Sequence, residues 1–140
     1  MRLTVVRAPD LAAFENVAIA FARELRPGDV IALAGDLGAG KTTFVAAVLR
    51  ALGSNAEVAS PTFTFWHRYG GVPPVEHLDL YRIEHRSEAR ELGLEEAFGA
   101  EGIAFVEWPE RLPELVPARA IRIHIAGAGA APRELRIERP

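Results

Sequence analysis

The stretch GDLGAGKTTF, residues 35 to 44, constrains this chain more than any other. Gly35, four intervening residues, Gly40, Lys41 and Thr42 satisfy the pattern of a phosphate-binding loop, or P-loop. Such a loop needs a buried strand leading in and a helix leading out. VIALA (Val30 to Ala34) is a continuous apolar run, as expected of a strand covered on both faces. A helix follows from about Lys41 to Leu52 and stops at Gly53. The glycines allow a tight turn and a close approach of backbone to phosphate. Successive backbone N–H groups then form a concave anion nest, and the helix N-terminus points its dipole at the same place.

Lys41 is the single lysine of the chain; the other fifteen of its 16 basic Lys and Arg residues are arginine. An ammonium is a compact point charge on a flexible stem, whereas a guanidinium is a wide planar fork. A nest built around phosphate admits the first and excludes the second, which explains one lysine kept in an arginine-using chain. Thr42 offers a hydroxyl suited to Mg²⁺. The expected nucleotide-binding residues are therefore Asp36, Gly38, Ala39, Gly40, Lys41, Thr42 and Thr43.

At 140 residues the chain is most simply a single domain, residues 1–140, with an ordinary globular balance of 49% hydrophobic and 25% charged residues. The net charge of −3 argues against nucleic-acid binding over a broad basic face. Without cysteine there is no disulfide, thiol catalysis or cysteine-type zinc site. The start of the chain has no apolar run of signal-peptide length, and the cytosol is the expected compartment.

Leu3 to Arg7 reads as a strand. A helix follows with Asp10 as N-cap and Leu11, Phe14, Val17, Ala18, Phe21 and Leu25 on one face. Further strands are expected over Thr62 to Tyr69, Val75 to Tyr81 and Ile103 to Trp108. Ser87 to Phe98 reads as a helix capped by Ser87 and broken at Gly93, and PERLPELVP as a loop. Residues 120–139 alternate on both sides of a Gly/Ala turn, which predicts a terminal β-hairpin. The expected fold is α/β: a P-loop NTPase-like domain with a mixed β-sheet, few helices and a C-terminal β-hairpin.

A P-loop needs an acidic residue at the end of a neighbouring buried strand to hold Mg²⁺ directly or through water. IAFVE ends in Glu107 after four apolar residues, and VEHLD ends in Asp79 on a more polar strand. Glu107 has the better context for the metal; Asp79 suits metal binding, orientation of the attacking water, or both. In SPTF, Thr62 has a hydroxyl suited to sensing a γ-phosphate, and an ordinary turn set by Pro61 explains the stretch equally well. The four histidines show no metal-ligand spacing and read as surface or strand-face residues. Arg82, Arg86 and Arg90, interleaved with Glu84, Glu88 and Glu91, read as the solvated face of a helix.

Taken in order, GDLGAGKTTF, SPTF, HLDLYRI, ELGLEEAF and VEWPERL resemble the TsaE family, over roughly residues 30 to 112. These are bacterial P-loop ATPases of threonylcarbamoyladenosine synthesis in tRNA. The resemblance implies ATP and Mg²⁺ as cofactors, with Lys41 and Thr42 at the nucleotide and metal and Thr43 following as in the family motif. It implies a switch-like role for Thr62, an activity-essential role for Asp79, a metal-site role for Glu107, and Trp108 beside it. The catalytic set it implies is thus Lys41, Asp79, Glu107 and Thr62. It further implies weak ATP hydrolysis alone, action with the TsaD and TsaB proteins that transfer the threonylcarbamoyl group, and tRNA contact mainly through those partners. Two other readings share the P-loop: a small-molecule kinase and a non-catalytic nucleotide-dependent switch. A GTPase is disfavoured, because its guanine-reading loop needs a second lysine.

Overall fold

The structure is a computed structural model that describes residues 1–59 and 64–140. The expected switch threonine, Thr62, and the rest of SPTF lie outside the described residues. Seven strands form one sheet in the order β1-β7-β6-β2-β5-β4-β3. They are β1 (Arg2–Ala8), β2 (Val30–Ala34), β3 (Trp66–Tyr69), β4 (Val75–Asp79), β5 (Ile103–Glu107), β6 (Ile121–Ala126) and β7 (Arg133–Arg139). The centre is parallel: β2 pairs with both β5 and β6, and β5 pairs with β4. Antiparallel strands close both ends, β3 on β4 and β7 and β1 beyond β6. This is the expected mixed α/β sheet with its C-terminal hairpin. The pairing of β1 with β7 is added by the structure, since neither strand's sequence names its neighbour.

Two helices cover one face. α1 (Leu11–Ala22) and α2 (Lys41–Ala51) pack on the side of the sheet that carries Ile31, Leu33, Phe105 and Ile123. Phe44 of α2 is fully buried, edge-on to Phe14 at 6.0 Å and tilted against Phe21 at 5.7 Å. The helical spacing in α1 buries Phe14, Ala18 and Phe21, and Val17 and Leu25 pack at the margin. Leu11 departs from that expectation: it is 62% exposed, because the first turn of α1 rides past the core to the rim of a cleft. Asp10 caps the helix as expected, accepting from the Ala13 N–H at 2.8 Å. Asp10→Ala is expected to cost about 1 kcal/mol of unfolding free energy, read from urea denaturation.

On the opposite face a second core forms from Ala32, Leu78, Leu80, Val106 and Leu94 under the short helix α3 (Arg86–Leu92). A 3-10 turn, Leu94–Ala97, follows after Gly93, whose φ of 63° breaks the helix as the sequence indicated. The N-cap is His85 rather than the expected Ser87. The cause is Glu88, whose carboxylate accepts from the backbone N–H groups of Glu84 and His85 and starts the helix earlier. Two strands end sooner than the alternation suggests. β4 stops at Asp79, which turns the chain by accepting from the Tyr81 N–H at 2.9 Å. β5 stops at Glu107, because Trp108 adopts a left-handed φ of 58°. β3 begins only at Trp66, after Phe65 at φ 65°. The PERLPELVP segment contains two 3-10 turns, Pro109–Arg111 and Pro113–Leu115.

Candidate nucleotide site

Open α/β sheets gather ligands beyond the carboxyl ends of their parallel strands. Here β2, β4 and β5 end side by side, and each delivers part of one cleft. β2 runs into the glycine loop, and the loop runs into α2 at Lys41. Gly40 precedes the helix at φ 112°, and a Cβ there would lie 3.0 Å from the Phe14 ring. A Cβ on Gly35 would meet the Ile125 carbonyl oxygen of β6 at 2.6 Å. These two glycines therefore let the loop sit against both α1 and the neighbouring strand.

The first cleft has a volume of about 370 Å³ and is lined by Leu37, Gly38, Gly40, Lys41, Thr42, Thr43, Asp79, Tyr81, Glu107 and Trp108. Lys41 folds back over its own loop, donating from Nζ to the carbonyl oxygens of Gly35 at 2.5 Å and Asp36 at 3.0 Å. The centre of the Trp108 ring lies 4.4 Å from the same Nζ, and Tyr81 lies tilted against Trp108 at 4.8 Å between ring centres. Burial pushes the Lys41 ammonium below its ordinary pKa, while Glu107, Asp79, Glu110 and Asp36 pull it back up. The Thr42 hydroxyl donates to Glu107 Oε2 at 3.0 Å, with Oε1 at 3.3 Å.

Asp79 and Glu107 face each other in register on β4 and β5 and are almost fully buried, at 2% and 3% exposure. The structure thus brings together Lys41, Thr42, Asp79 and Glu107, from two strand ends and one helix start. Asp36 contributes its carbonyl, with its side chain exposed; Ala39 is buried beneath the loop. Of the two acidic strand ends, Glu107 accepts the Thr42 hydroxyl.

The sequence reading missed two residues. His77 reads as an ordinary strand-face histidine, but it is wholly buried with Nε2 2.5 Å from Glu107 Oε2. The signal was present in HLD: residues 77 and 79 share a face of an alternating strand. Arg133 lies far from the motif, yet its Nε donates to the Ala39 carbonyl at 2.8 Å and its Nη2 to Gly38 at 3.2 Å. These bonds tie the C-terminal hairpin to the glycine loop. No local pattern links Arg133 to the loop; only the sheet order does.

The model of the family described as threonylcarbamoyl adenosine biosynthesis protein TsaE matches residues 8–135. The chain belongs to the TsaE family. Among similar proteins is the tRNA threonylcarbamoyladenosine biosynthesis protein TsaE of Bacillus subtilis, 41% identical over 136 residues, which cover 96% of this chain and 83% of that one. The Treponema pallidum protein of the same name is 32% identical and matches 98% of this chain and 99% of its own length. The crystal structure of Bacillus subtilis YdiB superposes with a TM-score of 0.82 at 34% identity, over 97% of this chain and 84% of that chain. Membership agrees with the order of motifs, and the YdiB likeness with the mixed sheet. No helix among the described residues is long and apolar enough to cross a membrane.

Proposed function

We propose that this TsaE-family chain is a Mg²⁺-dependent ATPase that supports threonylcarbamoyl transfer to adenosine in tRNA by a TsaD–TsaB complex in the cytoplasm. The observation that carries the catalytic part is the Thr42–Glu107 hydrogen bond of 3.0 Å beside Lys41, at the mouth of a glycine loop. A hydroxyl that donates to a carboxylate keeps its lone pairs for a cation, so this pair fits a divalent metal held with phosphate oxygens. Bound Mg²⁺ neutralises charge on the transferring phosphoryl group.

The residues of the chain supply the rest. The backbone of Gly38 to Thr43 and the Lys41 ammonium hold the phosphates, and Thr42 and Glu107 hold the metal side. Asp79 orients the attacking water. The water oxygen bonds to the γ-phosphorus as the bond to the β–γ bridging oxygen breaks, and the water's proton passes to solvent or phosphate. Catalysis is by positioning and charge, without a strong general base.

A second cleft of about 360 Å³ shares Gly38, Gly40 and Thr43 with the first and adds Pro9, Phe14, Ala39, Ala131 and Arg133. Its apolar wall beside the phosphate loop suits a nucleoside; the choice of ATP over GTP follows the family resemblance. No arginine is among the described residues lining the first cleft, and an arginine supplied by a partner would complete the charge stabilisation. Phosphate release from Mg-ATP is expected to be slow with the pure protein and to rise at least about tenfold with TsaD and TsaB added. Stimulation by a metabolite in place of those proteins would favour the kinase reading. Nucleotide-dependent partner affinity without turnover would favour the switch.

A further inference from the structure

His77 lies in the middle of β4 with no exposed surface, beside Tyr69 at 6.2 Å between ring centres. Its Nδ1 has no hydrogen-bond partner among the described residues. A buried imidazole with one orphaned nitrogen is a poor packing residue, because an apolar side chain would fill the space without the lost hydrogen bond. What the imidazole adds is its other nitrogen. Nε2 sits 2.5 Å from Glu107 Oε2, and the carboxylate can only accept, so the network places a proton on Nε2.

The two oxygens of Glu107 are therefore not equivalent. Oε2 takes both His77 from inside the sheet and the shorter Thr42 contact at 3.0 Å; among the described residues Oε1 has only the longer Thr42 contact at 3.3 Å. We propose that His77 is a positioning residue for the metal-binding carboxylate: its Nε2–H fixes the Glu107 rotamer through Oε2 and leaves Oε1 available toward the cleft. Residues behind a ligand that hold its orientation commonly change metal affinity by about 10–100-fold when lost. The inference rests on the reading of Glu107 as a Mg²⁺-site residue.

The test is ADP affinity by calorimetry, with Mg²⁺ and with EDTA, for the wild type and for His77→Leu, His77→Asn and His77→Gln. The readout is the ratio of the two affinities. Leu and Asn are expected to lower that ratio about tenfold or more while leaving the EDTA affinity within about twofold. Gln is expected to keep it within about threefold, because its amide nitrogen reaches the place of Nε2 whereas that of Asn does not. A merely structural role would not distinguish Gln from Asn in this ratio. Should the Leu variant fail to fold, the Gln–Asn comparison still decides. An unchanged ratio in Leu and Asn, or an equal loss in Gln, overturns the role of His77 alone. A wild type that binds ADP equally well with and without Mg²⁺ overturns the Glu107 reading, and this inference with it.

Discussion

Lys41→Ala lowers affinity for Mg-ATP by at least about a hundredfold, a loss of about 3 kcal/mol. The magnitude follows from two contributions of one side chain. Nζ pins the loop through the carbonyls of Gly35 and Asp36, and it is the single lysine charge available to phosphate. Lys41→Arg should not restore binding, because the guanidinium fork does not fit between those carbonyls and the Trp108 ring 4.4 Å away. Affinity within a few-fold of the wild type in the Ala variant would defeat the P-loop reading.

The same residue leaves a mark on stability. Burial lowers the Lys41 pKa in the folded chain below its ordinary value of 10.5. Between the lowered value and 10.5 the unfolded chain binds more protons than the folded one, so unfolding free energy rises with pH across that window. At neutral pH the buried charge is a cost that nucleotide phosphate would offset. Urea midpoints of the nucleotide-free protein should climb more steeply with pH on the way up to 10.5 for the wild type than for Lys41→Met. Equal slopes would mean the ammonium is not desolvated.

The site was legible where its chemistry is local. A glycine loop, its lysine and its threonine occupy consecutive residues, and the strand and helix that frame them follow from apolar runs. Asp79 and Glu107 were legible as strand ends, since a buried strand closing on a carboxylate is a local pattern too. Their face-to-face register was not, because nothing in VEHLD or IAFVE states that β4 and β5 are neighbours. His77 and Arg133 were missed for that reason. His77 acts on Glu107 across a strand pair, and Arg133 reaches the loop from the far side of the C-terminal hairpin. The strand ends were misjudged for a different cause. Alternation continues through Tyr81 and Trp108, but an Asp79 side-chain turn and a left-handed Trp108 stop the ladder first. The sharp bend at Trp108 is what brings an aromatic ring over Lys41, so this departure from the pattern serves the site.

Asp79→Asn separates binding from turnover. Asn keeps the side-chain oxygen that accepts from the Tyr81 N–H at 2.9 Å, so the end of β4 should survive the change. What is lost is one negative charge, opposite Glu107 in register and close enough to Lys41 to raise its pKa. Thr42 and Glu107 remain paired, and so do the loop contacts of Lys41; Mg-ATP affinity should therefore stay within a few-fold. Hydrolysis should fall by about 10²–10³, the range seen when one positioned polar group at a reacting centre is removed. Single-turnover phosphate release with the TsaD and TsaB partners present measures this directly. Glu107→Gln gives the contrasting pattern, because it weakens the Mg²⁺ enhancement of binding as well as the rate. If Asp79→Asn hydrolyses at the wild-type rate, its carboxylate serves only to turn the chain after β4. Positioning of the water would then fall to Glu107 or to a group brought by the partner.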